Sequence, residues 1–382
     1  KVVFLPVKKK RTRLSANERR KQIVSVATEL FSKKGFHGTK TREISQAGNI
    51  SEAMIFRLFE TKEKLYAAIV ESQLDEYVVS FPSDQAAKKV SASIDSDSLT
   101  FSIALEQPQV YFAYFIPYSY ERHLDLLADA QCSSLCELKY LGDTLDGRDM
   151  SMLVIGEPGE DKRNIWITAR QHPGESMAEW CAEGIIARLL DEQDGLSRAL
   201  LEKAVFYIVP NMNPDGSARG HLRTNAVGAN LNREWKTPTL ERSPEVYYVL
   251  NAMHEVGVDM YLDLHGDEAL PYNFVAGSEG IPVYNNRLKA LENQFKDALL
   301  MATPEFQDEF GYAKDDPGQA DLTIASNAVG QAFECLAYTI EMPFKDNNNL
   351  PDPLFGWSVQ RCQQFGEDIL VAAYNVVGSL RT

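Results

Sequence analysis

Beyond residue 138 the chain alternates short, almost wholly apolar runs with longer amphipathic ones, and few folds accept that pattern. NIWITAR (164–170), AVFYIVP (204–210), MYLDLHG (260–266) and AYTIEMPF (337–344) have the length and side chains of strands. SMAEWCAEGIIARLL (176–190), SPEVYYVLNAMHEVG (243–257) and NNRLKALENQFKDALL (285–300) carry the helical period between them. Strands that are apolar on both sides need a cover on both faces. The spacing therefore predicts an α/β fold, a mixed, mainly parallel sheet with helices on both faces. Several polar residues stand at or just past the strand ends, where open sheets of this class place their ligands.

The 382 residues suffice for one large domain and one or two smaller units, and a 44% hydrophobic content can fill a sizeable core. Five cysteines argue against a disulfide scaffold and fit a reducing compartment, with Cys132 and Cys136 expected to be structural. No apolar run reaches the about 18 residues that span a bilayer. The opening KVVFLPVK is charged too soon for a signal sequence, so no membrane association and a cytoplasmic location are expected. The chain does not start at methionine, and N-terminal sequence is expected to be missing. A formal net charge of −15 hides a split: residues 1–80 hold 16 Lys/Arg against 9 Asp/Glu, the remainder 23 against 45. A basic small unit joined to a strongly acidic large one points to two origins or two jobs.

The basic part has its own pattern. ERRKQIVSVATELFSK (18–33) spaces Ile23, Ala27, Leu30 and Phe31 as one helical stripe. TKTREISQAG (39–48) and NISEAMIFRLFE (49–60) predict two short helices, and 61–78 a fourth helix. With KKKRTR ahead of them, these outline either a helix-turn-helix unit or a small bundle with a solvated basic tail. Residues 13–70 resemble the DNA-binding headpiece of TetR-type transcriptional repressors. The resemblance implies DNA as a partner, with Lys8, Lys9, Lys10, Arg11, Arg13 and Lys62 near phosphates and residues 51–57 as the recognition helix. Such repressors continue into an all-helical domain. Here 81–106 turns polar and then alternates like strands.

The densest chemistry lies in the acidic part. His172 and Glu175 flank a Pro-Gly turn at a strand-to-helix junction, a spacing that lets an imidazole and a carboxylate converge on one point. Catalytic zinc often takes two histidines and one carboxylate, and His265 ends another strand in LDLHGDE. Polar groups at the end of a buried strand are costly without partners. Glu341 is a carboxylate in the apolar run LAYTIEMPF, either a strand-end ion-pair member or a general base. In RTNAVGANLNREW (223–235), Arg223 and Arg233 offer planar forks to a carbonyl oxygen and a carboxylate, or belong to surface ion pairs.

Together QHPGESMAEW, VPNMNPDG, GANLNREW, DLHGDE and YTIEMPF resemble the zinc metallocarboxypeptidases of the M14 type, and the cytosolic carboxypeptidase subfamily more closely. The resemblance covers about residues 99–380. It implies one Zn2+ per chain on His172, Glu175 and His265, with Glu341 as general base. It also implies Arg223 on the scissile carbonyl, Asn232 and Arg233 on the terminal carboxylate, and a peptide or protein C-terminus, acidic ends among them, as substrate. An aspartoacylase-like N-acyl amino acid deacylase would use the same metal chemistry. Digestive members carry a tyrosine about 22 residues before the base; Gln319 stands there, Tyr312 is the nearest candidate, and the role is left unassigned. Cytosolic members also carry an N-terminal β-sandwich, of which only the final strands (about 91–116) are expected here. The expected divisions are a helix-turn-helix-like segment at 1–80, a partial β-sandwich and linker at 81–118, and a catalytic domain at 119–382.

Overall fold

The computed structural model describes residues 19–28, 30, 39–62, 64–66, 68, 76–80, 88–94, 99–101 and 111–381. Residues 19–28 are helical, and they are followed by α1 (Thr41–Ala47) and α2 (Glu52–Phe59). Ile23, Ala27, Ile44, Ile55, Phe59 and Leu65 close into a small core of their own. Ile23, Ala27 and Leu30 of the stripe read from the sequence thus meet partners, while Phe31 lies outside the described residues. The fourth helix is shorter than expected. Residues 62, 64–66 and 68 are helical, but β1 (Glu76–Ser80) is a strand. It pairs antiparallel with β2 (Lys88–Ile94) and β4 (Tyr111–Ala113), and β3 (Leu99–Phe101) completes a four-stranded sheet. EYVVS holds two β-branched valines and a tyrosine, and these non-local pairings outweigh the helical run that precedes it.

The larger sheet has seven strands in the order β10-β11-β9-β7-β8-β6-β5. They are β5 (Cys136–Asp143), β6 (Asp149–Ile155), β7 (Arg163–Ala169), β8 (Ala204–Val209), β9 (Met260–Asp267), β10 (Phe274–Ala276) and β11 (Leu336–Pro343). The four central strands β11, β9, β7 and β8 run parallel, while β10, β6 and β5 join antiparallel. The centre is therefore the parallel sheet the apolar runs predicted, with antiparallel flanks.

Helices complete three layers. After α3 (Tyr120–Ala130) come α4 (Ser176–Leu190), α5 (Gly195–Leu201), α6 (Pro214–Arg219), α7 (Pro244–Val256), α8 (Asn286–Ala302), α9 (Ala325–Phe333) and α10 (Val359–Val377). Successive strand residues alternate between the two faces. Ile165 and Ile167 enter the core shared with α4, α8 and α10, while Trp166 enters the one shared with α7 and α9. Cys132 and Cys136 are free thiols, the first exposed and the second half-buried.

Helices α4 and α10 touch along their backbones. A Cβ on Gly184 would lie 2.1 Å from the Gln363 carbonyl oxygen, and one on Gly366 would lie 2.2 Å from that of Cys181. Gly184→Ala gains about 1 kcal/mol of helix propensity but forces the two helices apart. We expect it to destabilise the chain by about 1–3 kcal/mol, read as a lower urea midpoint at unchanged slope.

Candidate active site

Three parallel strands deliver their ends to one place. Strand β7 stops at Ala169, and the chain passes through Arg170 and Gln171 to His172. The turn is tight because Gly174 has no side chain: a Cβ there would stand 2.9 Å from the Leu222 carbonyl oxygen. Glu175 then occupies the N-cap position of α4, where the helix dipole favours an anion. His265 lies in β9, and Glu341 is its register partner in β11, so the two face each other across a parallel pair.

His172, Glu175 and His265 are all buried, and their ligand atoms lie within 4.8 Å of one another, a grouping found nowhere else among the described residues. His172 Nδ1 lies 2.7 Å from Glu175 Oε1, and His265 Nδ1 lies 2.7 Å from Glu175 Oε2. The opposite ring nitrogens have partners of their own. Nε2 of His172 is 3.0 Å from Asn230 Oδ1, and Nε2 of His265 is 2.9 Å from Asp263 Oδ2. The Asn230 oxygen also accepts from the Asn232 amide at 3.1 Å, which pins its orientation.

This arrangement tests whether a cation fits. Burial holds the His172 imidazole below its usual pKa, against the pull of Glu175. A neutral ring has one N–H, and Asn230 claims it. The Nδ1 lone pair then confronts a carboxylate oxygen at 2.7 Å, a repulsive contact unless a positive charge sits between them. At His265 burial would lower the pKa, but Asp263 and Glu175 outweigh it and carry the ring well above its usual value. Burial would likewise raise Glu175, but the two imidazoles hold its carboxylate low. Two imidazoles and one carboxylate with carboxylate and amide partners behind them are a donor set that suits zinc.

Those supporting partners were not read from the sequence. Asp263 also accepts from Gln171 Nε2 at 2.6 Å and from Thr168 Oγ1 at 2.8 Å, and Gln171 Oε1 accepts from the Trp235 indole at 2.8 Å. One signal was available: Asp263 and His265 stand two apart in a strand and so point to the same face.

Glu341 is buried, and its Oε2 has no hydrogen-bond partner. Burial pushes its carboxyl well above the usual range, with Glu175 and Asp267 adding to the shift against His265. The Tyr312 hydroxyl donates to Asp267 Oδ2 at 2.5 Å and lies 3.1 Å from Glu341 Oε1. One phenolic proton serves one acceptor, so Glu341 is left under-solvated in the cleft. Tyr312, unassigned from the sequence, stands beside the carboxylate in question.

Arg223 lies at the cleft with 44% of its side chain exposed and Nη1 3.9 Å from Glu175. Arg233 is an exposed residue, held below its usual pKa by partial desolvation and by the repulsion of Arg223. Asn232 accepts from the Ala325 amide at 2.9 Å, and its Nδ2 makes only a long 3.4 Å contact with His265. His172, Glu175, His265, Glu341, Arg223 and Asn232 are thus neighbours, and Arg233 bonds back to the Asn232 carbonyl and feels the charge of Arg223. Of the candidate DNA contacts, Lys62 is half-buried in a helical position, while Lys8, Lys9, Lys10, Arg11 and Arg13 lie outside the described residues.

Known proteins resemble this chain in two stretches. The family model "Zinc carboxypeptidase" matches residues 120–354, and that of "Bacterial regulatory proteins, tetR family" matches residues 23–69. A metallo-carboxypeptidase from Pseudomonas aeruginosa is 43% identical, superposes with a TM-score of 0.79, and shares 85% of this chain and 85% of that one. A metallo-carboxypeptidase from Burkholderia cenocepacia is 46% identical with a TM-score of 0.75, over 78% of this chain and 80% of that one. Cytosolic carboxypeptidase 6 of Caenorhabditis elegans is 28% identical over 259 residues, 64% of this chain but 56% of that protein, so the chain spans little more than half of that relative. Among the described residues no helix is long and apolar enough to cross a membrane. The family match over most of the chain, on a fold shared with two metallo-carboxypeptidases, makes this chain a member of the M14 zinc carboxypeptidase family.

Proposed function

We propose that this chain removes residues from the C-terminus of peptides or protein tails, with zinc held by His172, Glu175 and His265. The observation that carries the reading is the pair of Nδ1 atoms set against one carboxylate, with Glu341 in register beside His265. Zinc bound there supplies Lewis acidity, polarising a carbonyl and acidifying water.

The chain's own groups supply the rest. Glu341, desolvated beside Tyr312, takes the proton of the attacking water and delivers it to the departing amine. Arg223, exposed on the cleft rim, donates to the carbonyl oxygen as negative charge gathers there, a contact that is worth most in the transition state. Arg233, with Asn232 beside it, grips the free α-carboxylate and restricts cleavage to chain ends. The nearby Arg223 adds to the positive potential where an anion is needed. Tyr312 takes the tyrosine position over the substrate. The Pseudomonas metallo-carboxypeptidase was solved with (2-guanidinoethylmercapto)succinic acid, a dicarboxylic acid, which supports a carboxylate grip in this fold.

The deciding assay compares a peptide with a free C-terminus, the same peptide amidated, and an N-acetyl amino acid. The wild-type chain should cleave the first far faster than the other two; preference for the N-acetyl amino acid would replace this reading with a deacylase. Arg233→Gln should lower kcat/KM on the free-acid peptide by about 10–100-fold, the worth of hydrogen bonds to a charged group. It should leave the amidated peptide unchanged. Equal losses on both peptides would remove Arg233 from the carboxylate site.

A further inference from the structure

Arg170 stands two residues before the first candidate ligand and has no part in the chemistry described so far. Its backbone lies in the left-handed region, with φ of 59°, which a side chain enters only at a steric cost. Glycine would meet that backbone demand freely. Arginine brings a guanidinium instead, and every bond it makes is buried. Nε donates to the Pro173 carbonyl oxygen at 2.9 Å, inside the turn between His172 and Glu175. Nη1 donates to the Tyr118 carbonyl oxygen at 2.8 Å and to Glu179 Oε2 at 2.6 Å.

Glu179 is fully buried in α4, one turn beyond Glu175. Its Oε1 lies 2.7 Å from His123 Nδ1 in α3, and its Oε2 also accepts from Asn211 Nδ2 at 3.3 Å, just past β8. The segment before α3 is fastened to the same helix start: Ser176 Oγ donates to the Ile116 carbonyl at 2.8 Å and the Trp180 indole donates to it at 3.2 Å. Four parts of the fold are thereby tied to the back of one Pro-Gly turn.

We propose that Arg170 and Glu179 form a positioning clamp that sets the separation of His172 and Glu175, and through it the metal geometry of the site. A Pro-Gly turn has few side-chain contacts of its own to fix its width. A guanidinium held rigid by a buried carboxylate supplies a fixed donor against the carbonyl in the middle of that turn. Removing outer partners of this kind weakens metal binding without removing a ligand. The inference rests on the zinc reading above, and its test separates the two.

Two variants are compared with the wild-type chain. The double variant Arg170→Gly with Glu179→Gln relieves the backbone and leaves no buried carboxylate stranded, while Arg170→Lys keeps the charge and loses the fork. The readouts are the zinc dissociation constant from chelator competition, the visible spectrum of the cobalt-loaded protein, and the thermal midpoint of the metal-free protein. The double variant should bind zinc about 10–100-fold more weakly, with shifted cobalt bands. The lysine variant should fall between it and the wild type. A merely structural role would lower the metal-free midpoint and leave zinc affinity and cobalt bands unchanged. That result in the folded double variant, or in the lysine variant should the double one fail to fold, overturns the clamp. A wild-type chain that binds no zinc would instead overturn the metal reading itself.

Discussion

Glu341→Gln is expected to lower kcat/KM on a C-terminal peptide by about 10²–10⁴-fold or more while zinc still binds. Glutamine matches the shape of glutamate and can face the same Tyr312 hydroxyl, but it cannot accept a proton from water. The second half of the prediction concerns stability and has the opposite sign. Burial holds the Glu341 carboxyl well above its unfolded value of 4.5. Above pH 4.5 the folded metal-free chain therefore retains a proton that the unfolded chain has released, so folding stability falls as pH rises through the folded pKa. Glutamine removes that dependence. The metal-free variant should be at least as stable as the wild type at pH 7–8 and should lose its advantage near pH 4. Stability gained where activity is lost marks a group kept for function. A variant with near wild-type rate would remove Glu341 from the base role, and a variant less stable at pH 8 than at pH 4 relative to wild type would contradict the desolvation argument.

Much of the site was legible because its residues are costly where they stand. His265 and Glu341 sit in strands that are otherwise apolar, and His172 and Glu175 bracket a turn too tight for ordinary loop chemistry. The supporting partners were less legible. Asp263 and Gln171 read as ordinary polar residues until the parallel register sets β7 beside β9. Tyr312 escaped for a different reason: its offset from Glu341 depends on the length of a loop, and only the folded path brings its hydroxyl to the carboxylate. In the fold the central strands were clear from their apolar runs, whereas β5, half-exposed along most of its length, has no such run. Helix α10 was missed although Cys362, Phe365, Ile369, Ala373 and Val376 already followed the helical period in the sequence. Strand β1 could not be read locally, because its identity depends on partners 15 and 35 positions away, as in Glu76 with Ser91 and Val78 with Ala113.

The second large effect is expected at Glu175. In the metal-free chain its carboxylate lies 2.7 Å from Nδ1 of each imidazole, and it and His265 shape each other's titration. His265 has a folded pKa well above its unfolded 6.5, so its contribution to stability is complete below pH 6.5 and is lost as pH rises through the folded value. Glu175 has a folded pKa below its unfolded 4.5, so its contribution is complete above pH 4.5 and is lost as pH falls through the folded value. The pair therefore favours the metal-free fold most between pH 4.5 and 6.5. Zinc needs the Nδ1 lone pair that the His265 proton occupies, so binding must expel that proton, and apparent affinity should rise about tenfold per pH unit until His265 is neutral. Zinc should accordingly move the stability optimum to higher pH. Glu175→Gln removes the one anionic donor of the set and one of the two carboxylates that hold the His265 proton. Its zinc affinity should fall beyond the about 100-fold that loss of an outer partner causes, with activity falling alongside at limiting zinc. The pH slope of the remaining affinity should move to lower pH as the His265 proton loosens. Calorimetric titration in buffers of different ionisation enthalpy measures the affinity and the protons released together. Wild-type binding without proton release, or a glutamine variant that binds zinc as tightly as the wild type, would mean that the cation sits elsewhere in the cleft.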